Sequence, residues 1–293
     1  MNNTLGYIVA SMRLQQWIKN LFIFAALVFS ANLFNAGDII LTVEGFFIFC
    51  LTASGVYLFN DVVDIERDKL HPIKSKRALP SGKLSKQAAI SASAFLLLVG
   101  FITAYGLKAE FGIILLSYIV INVLYTYQLK RVVILDVMTI AAGFVLRVVA
   151  GAVLINVPTS EWLIICMILL SLFLGFSKRR HEIKILENSA NTHRSVLQHY
   201  SPYFLDQMIG IVTATTVMSY ALYTISEETV NKFGTKHLIY TVPFVLYGIF
   251  RYLYLVHKKD EGGDPTRLVV TDIPLLCNII LWIITVSIII YGK

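Results

Sequence analysis

Long apolar runs, interrupted at intervals by short charged segments, set the pattern of this chain. Runs long enough to cross a bilayer as helices, about 17 to 25 residues each, occur nine times. Their approximate cores are 17–35, 39–59, 87–106, 111–127, 134–155, 160–176, 208–225, 238–256 and 275–291. The pattern predicts an all-α, polytopic membrane protein, a nine-helix transmembrane bundle forming one domain over residues 1–293. No soluble domain and no low-complexity tract interrupts it. Two connecting segments, 60–86 and 177–207, are long enough to form short helices over one mouth of the bundle.

Charge then orients the bundle. If the nine runs alternate in direction, nineteen of the 25 Lys and Arg fall on one side and four on the other, with Arg147 and Arg251 inside spans. Cytoplasmic loops carry such an excess, which places the N-terminus in the cytoplasm and the C-terminus outside, in the plasma or bacterial inner membrane. Mean hydropathy of +0.71 with 15% charged residues excludes the soluble globular class. The net charge of +7 is therefore topogenic and phosphate-facing, and it requires no nucleic-acid partner. Cys50, Cys166 and Cys277 lie inside apolar runs without metal-ligand spacing, so neither a disulfide framework nor a metal cluster is expected of them. The start lacks a short apolar region followed by a small-residue cleavage site, so no cleaved leader is expected.

The second run ends in Asn60-Asp61-Val62-Val63-Asp64-Ile65-Glu66-Arg67-Asp68 and leads into His71-Pro72-Ile73-Lys74-Ser75-Lys76-Arg77. Carboxylates at a membrane boundary are costly unless something offsets their charge. On a helix, Asp61, Asp64 and Asp68 share a face, as do Asn60, Asp64 and Asp68. Oxygen ligands in that arrangement suit Mg2+, which takes its remaining ligands from water and substrate phosphates. Lys74 and Arg77 beside it suit the outer oxygens of a diphosphate. The bland alternative is a juxtamembrane acidic cap. His71, next to Pro72, is read as shaping the turn.

Three further clusters share the cytoplasmic side, and a fourth lies deeper. Tyr125 to Arg131 and Asp136 flank the fourth and fifth spans; Tyr125 and Lys130 are candidate substrate contacts, and Lys130 with Arg131 is alternatively topogenic. Asp136 has three open roles: a second Mg2+, a partner for Lys130, or a ribose hydroxyl. Lys178-Arg179-Arg180-His181-Glu182 reads either as a stop signal or as a phosphate clamp with Glu182 orienting a cation. Trp17 is expected at the interface, with Lys19 and Asn20 reaching a lipid headgroup. Arg147, about 16 Å along a helix from Asp136, is a site candidate by its depth. Its alternative is a structural lock between spans, and Gly143, Ala150, Gly151 and Ala152 around it suggest close helix packing.

Asn60-Asp61-x-x-Asp64-x-x-x-Asp68 resembles the first aspartate-rich motif of the UbiA superfamily of intramembrane prenyltransferases. The resemblance implies a helical bundle, usually of nine spans, with Mg-diphosphate held at the cytoplasmic mouth. The second motif of that family is a pair of aspartates four apart, whereas Asp136 is followed at that spacing by Ile140. One branch, the decaprenyl-phosphate phosphoribosyltransferases, is similar in more places. These are Gln16 to Asn20, Asp68-x-x-His71-Pro72-x-Lys74-x-x-Arg77, Leu135-Asp136 through Gly143 to Arg147, Lys178-Arg179-Arg180-x-Glu182, and Gly262-Gly263-x-Pro265 ahead of Asp272.

That branch implies transfer of 5-phosphoribosyl from 5-phosphoribosyl 1-diphosphate (phosphoribosyl diphosphate) to a polyprenyl phosphate. Asn60, Asp61, Asp64 and Asp68 would hold Mg2+, with Asp61, Asp64, Asp68 and Asp136 as the catalytic carboxylates. Lys19, Asn20, Lys74, Arg77, Tyr125, Lys130, Arg147, Lys178, Arg179 and Glu182 would contact the substrates. Two other expectations remain open on the residues: an aromatic prenyltransferase using a polyprenyl diphosphate, and a transporter of a phosphorylated lipid. A homo-oligomer is compatible with the sequence but not required by it.

Overall fold

A computed structural model of the chain describes residues 4–30, 33–70, 74–186, 195–258, 263 and 265–292. His71, Pro72 and Gly262 of the motifs, and Arg194, Lys259 and Lys293 of the charge count, lie outside the described residues. The described residues form helices and no strands. In chain order they are α1 (Thr4–Ser11), a 3₁₀ segment (Leu14–Ile23), α2 (Phe24–Phe29), α3 (Ala36–Val63), α4 (Ile65–Lys69), α5 (Lys86–Leu107), α6 (Ala109–Tyr127), α7 (Leu135–Leu154) and α8 (Glu161–Leu186). There follow α9 (Pro202–Ile225), α10 (Glu227–Phe233), α11 (Val242–Lys258), α12 (Pro265–Thr271) and α13 (Ile273–Tyr291).

Local chemistry marks several helix starts. Asn35 accepts from the Gly37 and Asp38 amides at the head of α3, and Ser85 caps α5. Ser201 caps α9 with Pro202 as its first residue, and Asp272 caps α13. Each side-chain oxygen satisfies an amide that has no partner inside the helix, and proline is tolerated there because its missing N–H is not needed.

Eight helical segments are long and apolar enough to span a membrane, so this is a multi-pass membrane protein. The first of the nine expected runs is shorter: Leu14–Phe29 winds as 3₁₀ helix through Ile23 before becoming α-helical. A 3₁₀ helix rises about 2.0 Å per residue against 1.5 Å for an α-helix, so the segment reaches roughly 29 Å. That is close to the hydrocarbon thickness of about 30 Å, which keeps it compatible with a ninth crossing. α8 runs ten residues beyond its expected apolar core, carrying Lys178 to Glu182 out on a continuous helix.

α3 and α7 are the central helices: half of each apolar window is buried within the protein, against 17% for α13. α7 joins two cores. Its Ala150, Ala152 and Leu154 pack with Ile23, Phe49 and Phe111, while Val137 packs with Phe173, Leu205 and Leu255. The expected close packing near Arg147 is realised at Gly151, where a Cβ would collide with the Ile23 carbonyl oxygen. Arg251 forms two hydrogen bonds to Asp272, of 3.1 and 2.8 Å, tying α11 to the head of α13. The three cysteines are free thiols, Cys50 buried and Cys277 exposed. Because α3 and α7 are central, the acidic motif and Asp136, at neighbouring ends of those helices, meet at one mouth of the bundle.

Candidate active site

α3 stops at Val63 and α4 starts at Ile65, with Asp64 at the junction. The four-residue hydrogen-bond spacing nevertheless continues: Asp64 N–H reaches Asn60 O at 3.0 Å and Asp68 N–H reaches Asp64 O at 2.8 Å. Asp61 and Asp68 therefore face the same way, and both are buried. Arg77 Nη1 donates to Asp61 Oδ1 at 3.1 Å and to Asp68 Oδ2 at 3.0 Å. Lys74 Nζ lies 3.5 Å from Asp68 Oδ1. Arg13 donates to Asp61 Oδ1 as well, and its guanidinium lies 5.0 Å over the Tyr57 ring. Burial and then the Arg13 charge lower the Arg77 pKa, while Asp61 and Asp68 oppose that shift.

The other two motif residues turn elsewhere. Lys130 Nζ lies 2.7 and 2.8 Å from the two oxygens of Asp64. Asn60 Oδ1 accepts from Thr126 on α6. Among the described residues, no three His, Cys, Asp or Glu side chains converge on one point. Asp61 and Asp68 do converge on one cationic nitrogen. Such a donor set fits Mg2+, which is commonly held by one or two carboxylates with the rest of its shell from water and phosphate oxygens.

Asp136 does not pair with Lys130, one of its three expected roles; its partners are Arg179 and Tyr200. It is fully buried at the first turn of α7 and accepts from Arg179 Nε on α8 at 2.6 Å and from the Tyr200 hydroxyl at 2.7 Å. α7 and α8 pack side by side, whereas Lys130, in the turn before α7, faces α3. The structure thus pairs Lys130 with Asp64 and Arg179 with Asp136. Arg179 is 1% exposed. Its Nη1 donates to Glu182 at 2.6 Å and its Nη2 reaches the Tyr125 hydroxyl at 3.4 Å. The expected phosphate clamp divides accordingly: Arg179 points inward, Arg180 pairs with Asp206, and Lys178 is half-buried.

Arg147 is held by oxygens and rings. Its Nε donates to Asn20 Oδ1 at 2.7 Å, Nη1 to Gly143 O at 2.6 Å and Nη2 to the Tyr118 hydroxyl at 3.2 Å. Phe49, Tyr118 and Phe144 rings surround it at 5.2, 5.0 and 5.3 Å. Asn20 also donates to Cys50 Sγ at 3.1 Å and is 1% exposed, so it faces the bundle interior. The lock between spans, one of the two readings of Arg147, is the arrangement seen. Lys19 is half-buried, and Trp17 donates to Ser54 on α3 at 3.0 Å.

Two residues of this site have little signal in the sequence. Arg13 reads there only as a topogenic charge, although it shares the membrane side of the acidic motif. Tyr200 is one of 15 tyrosines, with nothing local to single it out.

Residues 20–278 match the UbiA prenyltransferase family. The chain is 29% identical to a decaprenyl-phosphate phosphoribosyltransferase of Mycolicibacterium smegmatis, over 99% of this chain and 94% of that protein. It is 30% identical to one of Corynebacterium glutamicum, over 97% and 86%. Among solved structures, a UbiA homolog from Archaeoglobus fulgidus bound to GPP and Mg2+ superposes with a TM-score of 0.73 at 17% identity, over 97% of this chain and 99% of that one. With the family match running from the 3₁₀ segment into α13, and the same bundle found in a family structure, the chain belongs to the UbiA prenyltransferase family.

Proposed function

We propose that this protein transfers 5-phosphoribosyl from phosphoribosyl diphosphate to a polyprenyl phosphate, with Mg2+, at the cytoplasmic mouth of the bundle. The observation that carries this reading is the near-full-length similarity to two decaprenyl-phosphate phosphoribosyltransferases. The site chemistry is consistent with it. Asp61 and Asp68 would hold Mg2+, which neutralises charge on the departing diphosphate. Arg13, Lys74 and Arg77, gathered on those carboxylates, lie where they can turn to phosphate oxygens, for which the guanidinium fork is well shaped.

The C1–O bond to diphosphate breaks and the leaving group takes the electron pair. An oxygen of the acceptor phosphate forms the new bond to C1. That oxygen is already anionic, so the chain needs no general base. Orientation with the N-terminus inside follows from the Lys and Arg count.

A second reading, an aromatic prenyltransferase, is consistent with the match to the UbiA prenyltransferase family. The test supplies purified protein in detergent with Mg2+, polyprenyl phosphate and radiolabelled phosphoribosyl diphosphate. Label in the organic phase is the expected result. Transfer from a labelled prenyl diphosphate to an aromatic acid, with no phosphoribosyl transfer, would select the second reading.

A further inference from the structure

We infer that Tyr200 is a positioning residue of the transfer site, acting through a strained turn that carries Lys130. The kinetic part of this inference rests on the phosphoribosyl-transfer reading; the structural part does not. Ile134 joins the Leu129–Arg131 3₁₀ turn to α7 with φ 70° and ψ −46°. A β-branched residue at positive φ is strained against its own backbone. Such a residue persists where its surroundings over-determine it.

The Ile134 carbonyl is held by the Val137 and Met138 amides at 3.0 and 2.9 Å, and Tyr200 supplies the constraint on its N–H side. The Ile134 N–H donates to its hydroxyl at 2.6 Å, and the hydroxyl donates to Asp136 Oδ1 at 2.7 Å. One oxygen therefore pins the turn and the first residues of α7 together. Tyr200 is itself buried and stacks on Phe204, with ring centroids 6.1 Å apart. Asp136 is braced from its other oxygen by Arg179.

Lys130 stands four residues before Ile134 in the same turn. It is 5% exposed, and its ammonium lies on both oxygens of Asp64. Ile134 is 39% exposed, so its conformation is not set by burial in the core. Release of Ile134 from the left-handed region would swing the turn and draw Lys130 off Asp64. Tyr200, on the segment between α8 and α9, thus sets the position of a cation at the acidic motif on α3.

Tyr200→Phe removes the hydroxyl alone. In the full-length protein in detergent, acylation of Lys130 by an amine-reactive ester, read by mass spectrometry, is expected to rise about tenfold, the scale of losing a buried hydrogen-bonding partner. Adding Ile134→Gly, which accepts positive φ without strain, is expected to return labelling close to the wild-type rate. In the transfer assay Tyr200→Phe should raise KM for phosphoribosyl diphosphate about tenfold with KM for polyprenyl phosphate little changed, and the double variant should recover. Unchanged Lys130 labelling in Tyr200→Phe overturns the inference. So does a labelling or KM defect that Ile134→Gly leaves in place. If the wild-type protein transfers no phosphoribose, the function fails and the labelling result still decides the role of Tyr200.

Discussion

Arg179 and Asp136 form a salt bridge of 2.6 Å between two side chains that are 1% and 0% exposed. Removing one partner of a buried pair strands the other charge, which destabilises by about 3–5 kcal/mol. Arg179→Met leaves Asp136 buried with only the Tyr200 hydroxyl beside it, and should therefore lower the melting temperature of the detergent-solubilised protein sharply. Asp136→Asn in the same background should recover much of the loss. A single variant with wild-type thermal stability would show that the pair carries no structural role.

The two convergent carboxylates and the third, Lys130-bound one should separate in their metal dependence. Asp61→Asn and Asp68→Asn are each expected to raise the Mg2+ concentration for half-maximal transfer by roughly tenfold or more. Asp64→Asn should raise KM for phosphoribosyl diphosphate through the loss of the Lys130 contact while leaving the Mg2+ requirement nearly unchanged. A Mg2+ titration of the three variants side by side checks this. An equal shift in all three would return Asp64 to the metal-binding group.

Arg147 should behave as a structural lock. Arg147→Ala removes three hydrogen bonds and the ring contacts, a loss of about 3 kcal/mol. Thermal unfolding should show it, with KM for both substrates unchanged in the folded fraction. A raised KM at unaltered stability would make Arg147 a substrate contact.

Gly151→Ala places a methyl group against the Ile23 carbonyl on the 3₁₀ segment. Overpacking of this kind destabilises by about 1–3 kcal/mol, and here it falls where the first crossing meets the central helix. The check is the melting temperature, with Gly106→Ala, where a Cβ meets nothing within 4 Å, as the control.

The spans and the acidic motif were legible in the sequence because apolar length and four-residue helical spacing are local properties. Partner choice was not. Lys130 stands six residues from Asp136 yet reaches Asp64, because the turn at Ile134 reverses the chain between them. Asn20 stands beside Trp17 near the start of the first apolar run, and nothing local marks that it faces Cys50 and Arg147. Its segment is a 3₁₀ helix, which turns about 120° per residue and not 100°. Arg13 and Tyr200 gain their roles from residues such as Asp61 and Asp136, 48 and 64 positions away, a separation no local pattern encodes.

The most direct test of the proposed activity is the mass of the lipid product. Purified protein, polyprenyl phosphate and phosphoribosyl diphosphate would be incubated with Mg2+, or with EDTA in its place, and the lipid extract analysed by mass spectrometry. The expected result is a polyprenylphosphoryl 5-phosphoribose that forms with Mg2+, is absent with EDTA, and is reduced in Asp68→Asn at the same Mg2+ concentration. An unaltered polyprenyl phosphate in the Mg2+ sample, from protein shown to be folded, would contradict it.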